Sequence, residues 1–471
     1  MRRRYIGRMS SPAQSPPGAR SPAAVPPGGA AAGGTGAATL VRALGVWGLA
    51  ASIFNVTVGG GIFRLPASAA AMIGPAAPLV YLVCAAVMGL IVLCFAEAGS
   101  RVSLTGGPYA YVEVVFGRYA GFLAGVLVWM LGTGAVASVA TAYAGSVAAL
   151  VPALGAPAAR AALLVGTFAL LAWINARGVK QGARLIEVVS VAKLLPLLVL
   201  VAVGAFFVRP ANLAIPTMPG GGEFARAAIV LIFAFTGVES ALVPSGEVRD
   251  PARTVPRALA VAMIGVTLLY LGVHVVAQGV LGGAGLAAAK DAPLAAAAGA
   301  AMGPAGRYLL LVGATVSMFG YLSGMTLAVP RALFTFGRDG FLPRVVGAVH
   351  RTHRTPHVAI WVQSAVVCTL AVGSSFETLA VISNLSALLL YLACAVAGWE
   401  LRRRGIQQTA GTPVSLPGGP LIPILTVGVI LWLFTSITRQ EWLMVGATLA
   451  VATALFLVTR SRRAAIAAEP A

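Results

Sequence analysis

This sequence has little charge. Only 10% of its 471 residues are Asp, Glu, Lys or Arg, and the 13 acidic residues are outnumbered by 33 basic ones. Soluble domains carry roughly a quarter charged residues, so this composition cannot supply a water-exposed globular surface. Cysteine and histidine are scarce too, at four each. Cys84, Cys94, Cys368 and Cys394 all lie in apolar runs without paired spacing, which argues against a disulfide framework and against a zinc site. Three of the histidines, His350, His353 and His357, share a basic loop interrupted by Pro356, a weak basis for metal binding. No metal and no organic cofactor is expected. A phosphate-binding loop and a nucleophile–base pair are also missing, so an ATP-driven pump or a membrane hydrolase would lack its parts. The chain is not expected to be an enzyme.

What is present is apolar. Hydrophobic residues make up 59% of the chain and the mean hydropathy is +0.91. At about 20 apolar residues per crossing, the sequence predicts an all-α integral membrane protein with twelve spans and little chain left for a soluble domain. The net charge of +20 is spread in small groups between the apolar runs, which points to membrane topology rather than to nucleic acid. Most Lys and Arg fall on one side if both termini are cytoplasmic, as the positive-inside rule requires. The expected location is the plasma membrane, with the lipid bilayer as surroundings. Residues 1–39 are rich in Pro, Ala, Gly and Ser and hold no apolar core for a cleavable signal peptide, so a disordered cytoplasmic tail is expected there. A short cytoplasmic tail, 461–471, is expected at the other end.

Two of the spans carry interruptions. Asn55-Val56-Thr57-Val58-Gly59-Gly60-Gly61-Ile62-Phe63 lies within the first apolar segment, about Leu44 to Met72. Three consecutive glycines make unwinding cheap, at roughly 1 kcal/mol each relative to alanine. Alone they are read first as close helix packing, and it is the second interruption that favours a break. The sixth apolar segment, Ala227 to Ser245, holds Phe233-Ala234-Phe235-Thr236-Gly237-Val238-Glu239-Ser240 and then Pro244. Glycine, a carboxylate and proline so close together predict a second break, with Glu239 either functional or paired in a helix–helix network. The breaks open two successive groups of five spans, 40–210 and 222–402, and five is odd, so the second group enters inverted. Matching interruptions in inverted halves point to a transporter with a midplane site. The last two spans, within 403–460, lie outside the repeat.

At these breaks the sequence resembles the amino acid–polyamine–organocation superfamily of amino acid permeases. GGGIFRLPA is similar to that family's glycine-rich GSGIF signature, and FAFTGVES, running into GEVRDPARTVPRA, is similar to its second-break pattern. Arg338-Asp339-Gly340-Phe341-Leu342-Pro343 resembles the loop that follows its eighth helix. The resemblance implies a LeuT-type five-plus-five inverted repeat with broken helices 1 and 6, twelve transmembrane helices and alternating access.

It also implies a site. The candidate substrate-binding residues are Thr57, Gly59, Gly60, Gly61 and Ile62 at the first break, and Phe233, Ala234, Thr236 and Gly237 at the second. The amides of Gly60 and Gly61 would hold a carboxylate, the carbonyls of Thr57, Phe233 and Thr236 an ammonium, and Phe233 would cap the site. A side chain added at Gly60 or Gly61 is expected to intrude on the ligand or to restore helix. Gly60 stands where the family often has serine, and Arg64 is outside the motif. Arg64 could act as a gate or anion contact, or else reach water or pair with an acid. The set Glu97, Arg101, Glu247, Arg249, Asp250, Arg253, Arg338 and Asp339 could form an inner gate of ion pairs or simply set topology.

Lys193 and Glu239 are the coupling candidates. Lys193 lies six residues, roughly 9 Å, further along its helix than Glu187. The resemblance places it where a fifth-helix lysine of proton-coupled members reaches the first break and occupies the sodium position of related folds. The expected function is proton-coupled uptake of a neutral amino acid. Amino acid exchange, and transport of cationic amino acids or polyamines, are the alternatives.

Overall fold

The computed structural model describes residues 45–102, 108–178, 183–241, 251–408, 413–416 and 418–460. Both expected tails, the Glu247, Arg249 and Asp250 part of the inner charge set, and Pro244 lie outside these residues. Among the described residues every regular element is helical. Seven helices are long and apolar enough to cross a membrane, and four more apolar helices are shorter.

The first broken helix begins with α1, Val46–Thr57, which ends where Gly59 turns extended. A tight 3-10 turn, Gly60–Phe63, follows, and α2, Leu65–Ile73, resumes with Pro66 in its first turn. Proline suits that position because the amide it lacks would have had no helical acceptor. Then come α3 (Ala77–Arg101), α4 (Pro108–Phe116), α5 (Arg118–Leu150), α6 (Pro157–Ala176) and α7 (Ala183–Gly204). The second broken helix consists of α8 (Gly221–Leu231), a 3-10 turn at Ile232–Phe235, and the short α9 (Val238–Ala241).

Helix α8 starts six residues before the apolar run expected from Ala227. Its first turn is polar but capped: Glu223 accepts from the Gly220 amide at 2.9 Å. Arg226 is held by two 3.0 Å hydrogen bonds to Glu441. Partnered polar residues extend a helix beyond the point where hydropathy alone would end it.

The second half continues with α10 (Pro251–Ala288), α11 (Pro293–Ala328), α12 (Pro330–Arg338), α13 (His357–Gly373) and α14 (Phe376–Arg403), followed by α15 (Leu421–Phe434) and α16 (Arg439–Val458). Helix α11 is interrupted by a kink at Gly303, which separates a short helical stretch before it from the longer run after it.

The frame is the pair α5 and α14, two long and largely buried helices. Small residues let them approach closely: a Cβ at Gly134 would lie 3.0 Å from the Ser383 Cβ. Hydroxyls then tie side chain to backbone across the seam. Ser138 donates to the Phe376 carbonyl at 2.9 Å and Ser383 to the Leu131 carbonyl at 2.8 Å. Without a hydrophobic driving force between helices in lipid, such close packing and polar ties carry association. Helix α10 packs on α1, α2 and α3, so it stands behind the first break.

Gly303 has φ +69° and ψ −162°, a conformation open essentially to glycine, yet no atom lies within 4 Å of where its Cβ would be. Gly303→Ala therefore isolates the backbone cost. It should lower stability by about 1–3 kcal/mol while leaving substrate affinity unchanged; melting and binding measured on the same purified sample check both.

Candidate functional site

The two breaks meet. Between them lies a cavity of about 180 Å³ whose walls include Thr57, Gly59, Gly60 and Gly61 from the first, and Phe233, Ala234, Thr236, Gly237 and Glu239 from the second. Ile62 is the exception among the expected substrate contacts. It is fully buried in the hydrophobic core and does not line the cavity, because the 3-10 turn rotates its side chain away from the backbone face that Gly60 and Gly61 present.

The unwinding frees backbone groups. Gly60 and Gly61 open the turn, no side chain caps it, and their amides have no hydrogen-bond partner among the described residues. The Thr57 hydroxyl is also buried and without a partner. Such groups are costly in a low-dielectric interior unless a polar ligand or water meets them.

The glycines have a second role that the sequence reading did not contain. A Cβ on Gly60 would lie 2.7 Å from Val139 Cγ1, and one on Gly61 2.9 Å from the Phe233 ring. Side chains there would first meet α5 and the second break, at Val139 and Phe233 of the cavity wall. The close approach of neighbouring elements demands glycine at both positions.

Three side chains hold backbone groups at the breaks. Lys193 Nζ donates to the Asn55 carbonyl, an acceptor whose helical partner is lost where α1 ends. Glu239 turns both carboxylate oxygens to the Gly237 amide at 3.0 Å and accepts from Tyr391 Oη at 2.7 Å. Gly237 has φ +110°, the left-handed region glycine enters without strain. The third is Tyr270, whose hydroxyl lies 2.9 Å from the Thr57 carbonyl and 2.8 Å from that of Ala234. A phenol has one hydrogen to donate, so at any moment one of the two carbonyls retains acceptor capacity. The Phe233 carbonyl accepts from the Thr236 hydroxyl at 2.9 Å.

Tyr270 was missed in the sequence reading. The signal that could have found it is Tyr270, His274 and Gln278, polar residues at successive helical turns of an otherwise apolar span. His274 and Gln278 are fully buried and bonded to each other, and the Gln278 amide donates to the Pro75 and Asn212 carbonyls. That orientation presents the Gln278 oxygen to His274, whose Nε2 therefore carries the hydrogen. The cavity's remaining wall was also missed. Leu131, Ala135 and Val139 of α5, with Tyr321 and Met325 of α11, make it apolar apart from one phenol.

On one side the cavity is roofed in layers. The Phe233 ring meets Phe376 edge-on at 5.7 Å, and the Arg64 guanidinium lies 5.8 Å from the Phe376 ring centre. Arg64 pairs with Asp291 at 2.7 Å, Arg160 reaches the same carboxylate at 3.1 Å, and Glu377 stands 3.9 Å from Arg64. Of the alternatives for Arg64, pairing with an acid is what the geometry displays. Partial burial opposes ionisation of Asp291, but hydrogen bonds from Arg64 and Arg160, together with their charges, outweigh it and hold the carboxyl below its usual range.

On the opposite side, Glu97 is buried with Arg101 at 3.7 Å and Arg402 at 3.6 Å. Arg402 was not in the expected set. Arg338 lies over Phe334 at 5.9 Å. The three loop histidines stand ring to ring, His350 being 4.6 Å from His353 and 5.1 Å from His357, with His350 Nδ1 accepting backbone amides.

Comparison with known proteins gives one consistent result. The sequence model described as "Amino acid permease" matches residues 44–459. The chain is 28% identical to the methylthioribose transporter of Bacillus subtilis, across 89% of this chain and 94% of that protein. It is 28% identical to the branched-chain amino acid permease BcaP of the same organism, across 88% and 93%. The serine/threonine exchanger SteT, also from Bacillus subtilis, is 27% identical across 80% and 86%.

Two outcomes follow from this geometry. Tyr270→Phe removes the hydroxyl that spans both breaks and leaves buried carbonyls short of a donor, so melting should report a loss of about 1–3 kcal/mol; a parent-like transition would show that the hydroxyl carries no tie. Asp291 has a lowered value in the folded chain, so its contribution is present above the ordinary carboxylate range and lost as pH falls through that lowered value. The carboxylate is 42% exposed, and solvent screening limits the term to below about 1 kcal/mol. Asp291→Asn should thus melt slightly below the parent at neutral pH, and the gap should close in acid.

Proposed function

The chain belongs to the amino acid permease family of the amino acid–polyamine–organocation superfamily, and from that premise we propose that it takes up a neutral amino acid by proton-coupled alternating access. It is a transporter and not an enzyme. The observation that carries the proposal is the cavity between two unwound helices, with bare amides at the first break, a carbonyl of each break sharing one phenol, and apolar side chains between.

A zwitterion matches that array. Its carboxylate would meet the amides of Gly60 and Gly61, where the turn's N-terminus adds partial positive charge. Its ammonium would face the carbonyls of Thr57, Phe233 and Thr236, with Ala234 and Gly237 completing the wall. Its side chain would lie among Leu131, Ala135, Val139 and Met325. Glu239 already accepts from Gly237 and Tyr391, so it does not present a spare carboxylate for a second cation. This favours a neutral side chain over arginine or a polyamine.

In this reading each broken segment crosses the bilayer once. The chain then has twelve spans, arranged as five-plus-five inverted repeats over 40–210 and 222–402 with a peripheral pair in 403–460, and with both termini cytoplasmic in the plasma membrane. The Phe233–Phe376–Arg64–Asp291 layers close the outer path, and the Glu97 cluster lies at the inner side. Lys193 occupies the space beside the first break with an ammonium group, leaving a proton rather than sodium as the coupling ion. Proton release from Lys193 would remove its charge and weaken its hydrogen bond to the Asn55 carbonyl, linking protonation to movement of the break. Exchange is the second reading, favoured by the similarity to a serine/threonine exchanger.

Proteoliposomes test the scheme. An inward pH gradient should drive accumulation of a labelled neutral amino acid, unaffected by replacing sodium with choline. Lys193→Ala should lose that accumulation while retaining binding. Sodium-dependent uptake, accumulation by Lys193→Ala equal to the parent's, or displacement by cationic competitors well ahead of alanine and leucine would each overturn it.

A further inference from the structure

Helix α16 presents more than half of its residues to the outside. Of its 20 residues only Glu441, Val445 and Ala452 are buried. Where it passes α5 it does not seal against the bundle. An apolar groove of about 400 Å³ remains between α16, α5 and the α12 end, walled by Trp129, Phe336, Phe341, Ala447 and Val451 among others. The small side chains of Ala447 and Ala452 open it, and the exposure of α16 turns it toward the hydrocarbon.

One end is closed by aromatic rings. Phe122 stacks on Phe341 at 4.0 Å, Tyr119 meets Phe456 edge-on at 5.0 Å, and Tyr119 Oη bonds Thr453 at 2.9 Å. Just beyond this end stand two exposed cations. Arg118 precedes Phe122 by one helical turn, and Arg460 follows Phe456 by one. Of the acids of the neighbourhood, Glu113 and Asp339 lie near Tyr109, and Glu113 also packs against Gly121 in the first turns of α5; neither lines the groove.

We propose that this groove is a binding site for an anionic phospholipid, one acyl chain lying in the groove and the phosphate held by Arg118 and Arg460. A slender aliphatic chain suits a concave slot between helices, which a helix of about 10 Å diameter from a second copy could not enter. Two like charges at the mouth would also repel their counterparts across a symmetric contact, whereas an anionic headgroup satisfies them. On the topology proposed above this is the cytoplasmic leaflet, where arginines close to the surface attract acidic lipids.

Native mass spectrometry of the full chain, delipidated in mild detergent and returned to defined lipid, provides the test. Phosphatidylglycerol adducts should outcompete phosphatidylcholine by on the order of thirty-fold, the joint effect of two arginines. Arg118→Ala with Arg460→Ala should erase that preference while retaining weak binding of both lipids. Ala447→Phe, at an exposed position that narrows the groove, should remove adducts of both. Equal retention of the two lipids by the parent, or unchanged adducts in Ala447→Phe, overturns the site. So does a dimer that Ala447→Phe dissociates, since the face would then belong to a second copy. Melting of each variant in detergent alone, expected to match the parent, separates loss of lipid from loss of fold. Because the readout is lipid retention, failure of the transport reading leaves this result unaffected.

Discussion

The structure depends on one constraint: a backbone that leaves helical geometry at membrane depth must find partners for every amide and carbonyl it frees. Each group released at the two breaks is either answered from a neighbouring helix or turned to the cavity. Lys193 takes the Asn55 carbonyl, Tyr270 bridges Thr57 and Ala234, and Glu239 holds the Gly237 amide. The amides of Gly60 and Gly61 are left over. The proposed zwitterion site is thus what an incomplete set of internal hydrogen bonds leaves over, its polarity set by which groups go unanswered.

The ties also explain how the ends of the path can be linked. Lys193, Tyr270 and Glu239 come from α7, α10 and α9, and Glu239 is joined through Tyr391 to α14. Helix α14 is half of the rigid frame with α5, and its first residue, Phe376, forms part of the roof. Movement at either break must therefore change contacts with the frame and with the Arg64–Asp291 closure. Switching two discrete hydrogen-bond arrangements is a physical route by which occupancy in the cavity can bias the closure.

Apolar packing supplies selectivity while polar groups supply orientation. The wall made by α5 and α11 holds one phenol among aliphatic side chains, so an extra charge on a ligand would find no spare partner there. The same small residues that narrow the α5–α14 seam bring Val139 against Gly60. Scaffold and site thus share residues, and the glycines serve both.

Much of this was legible in the sequence because its causes are local. Scarcity of charge required a membrane protein, three glycines in one span and Gly237 with Glu239 in another marked the breaks, and motif similarity indicated the family. Helix α8 began earlier than hydropathy suggested since Glu223 caps its first turn and Arg226 is held by Glu441, over 200 residues away. Ile62 left the site because the pitch of a 3-10 turn, which no composition specifies, decides which way its side chain points. Tyr270, the partners of Arg64 and the apolar wall depend on which faces of distant helices meet. Local chemistry determined where the chain must unwind and what the freed groups need; only tertiary packing decided which side chains answer them, because in hydrocarbon a partner is chosen by proximity in space and sequence order does not record it.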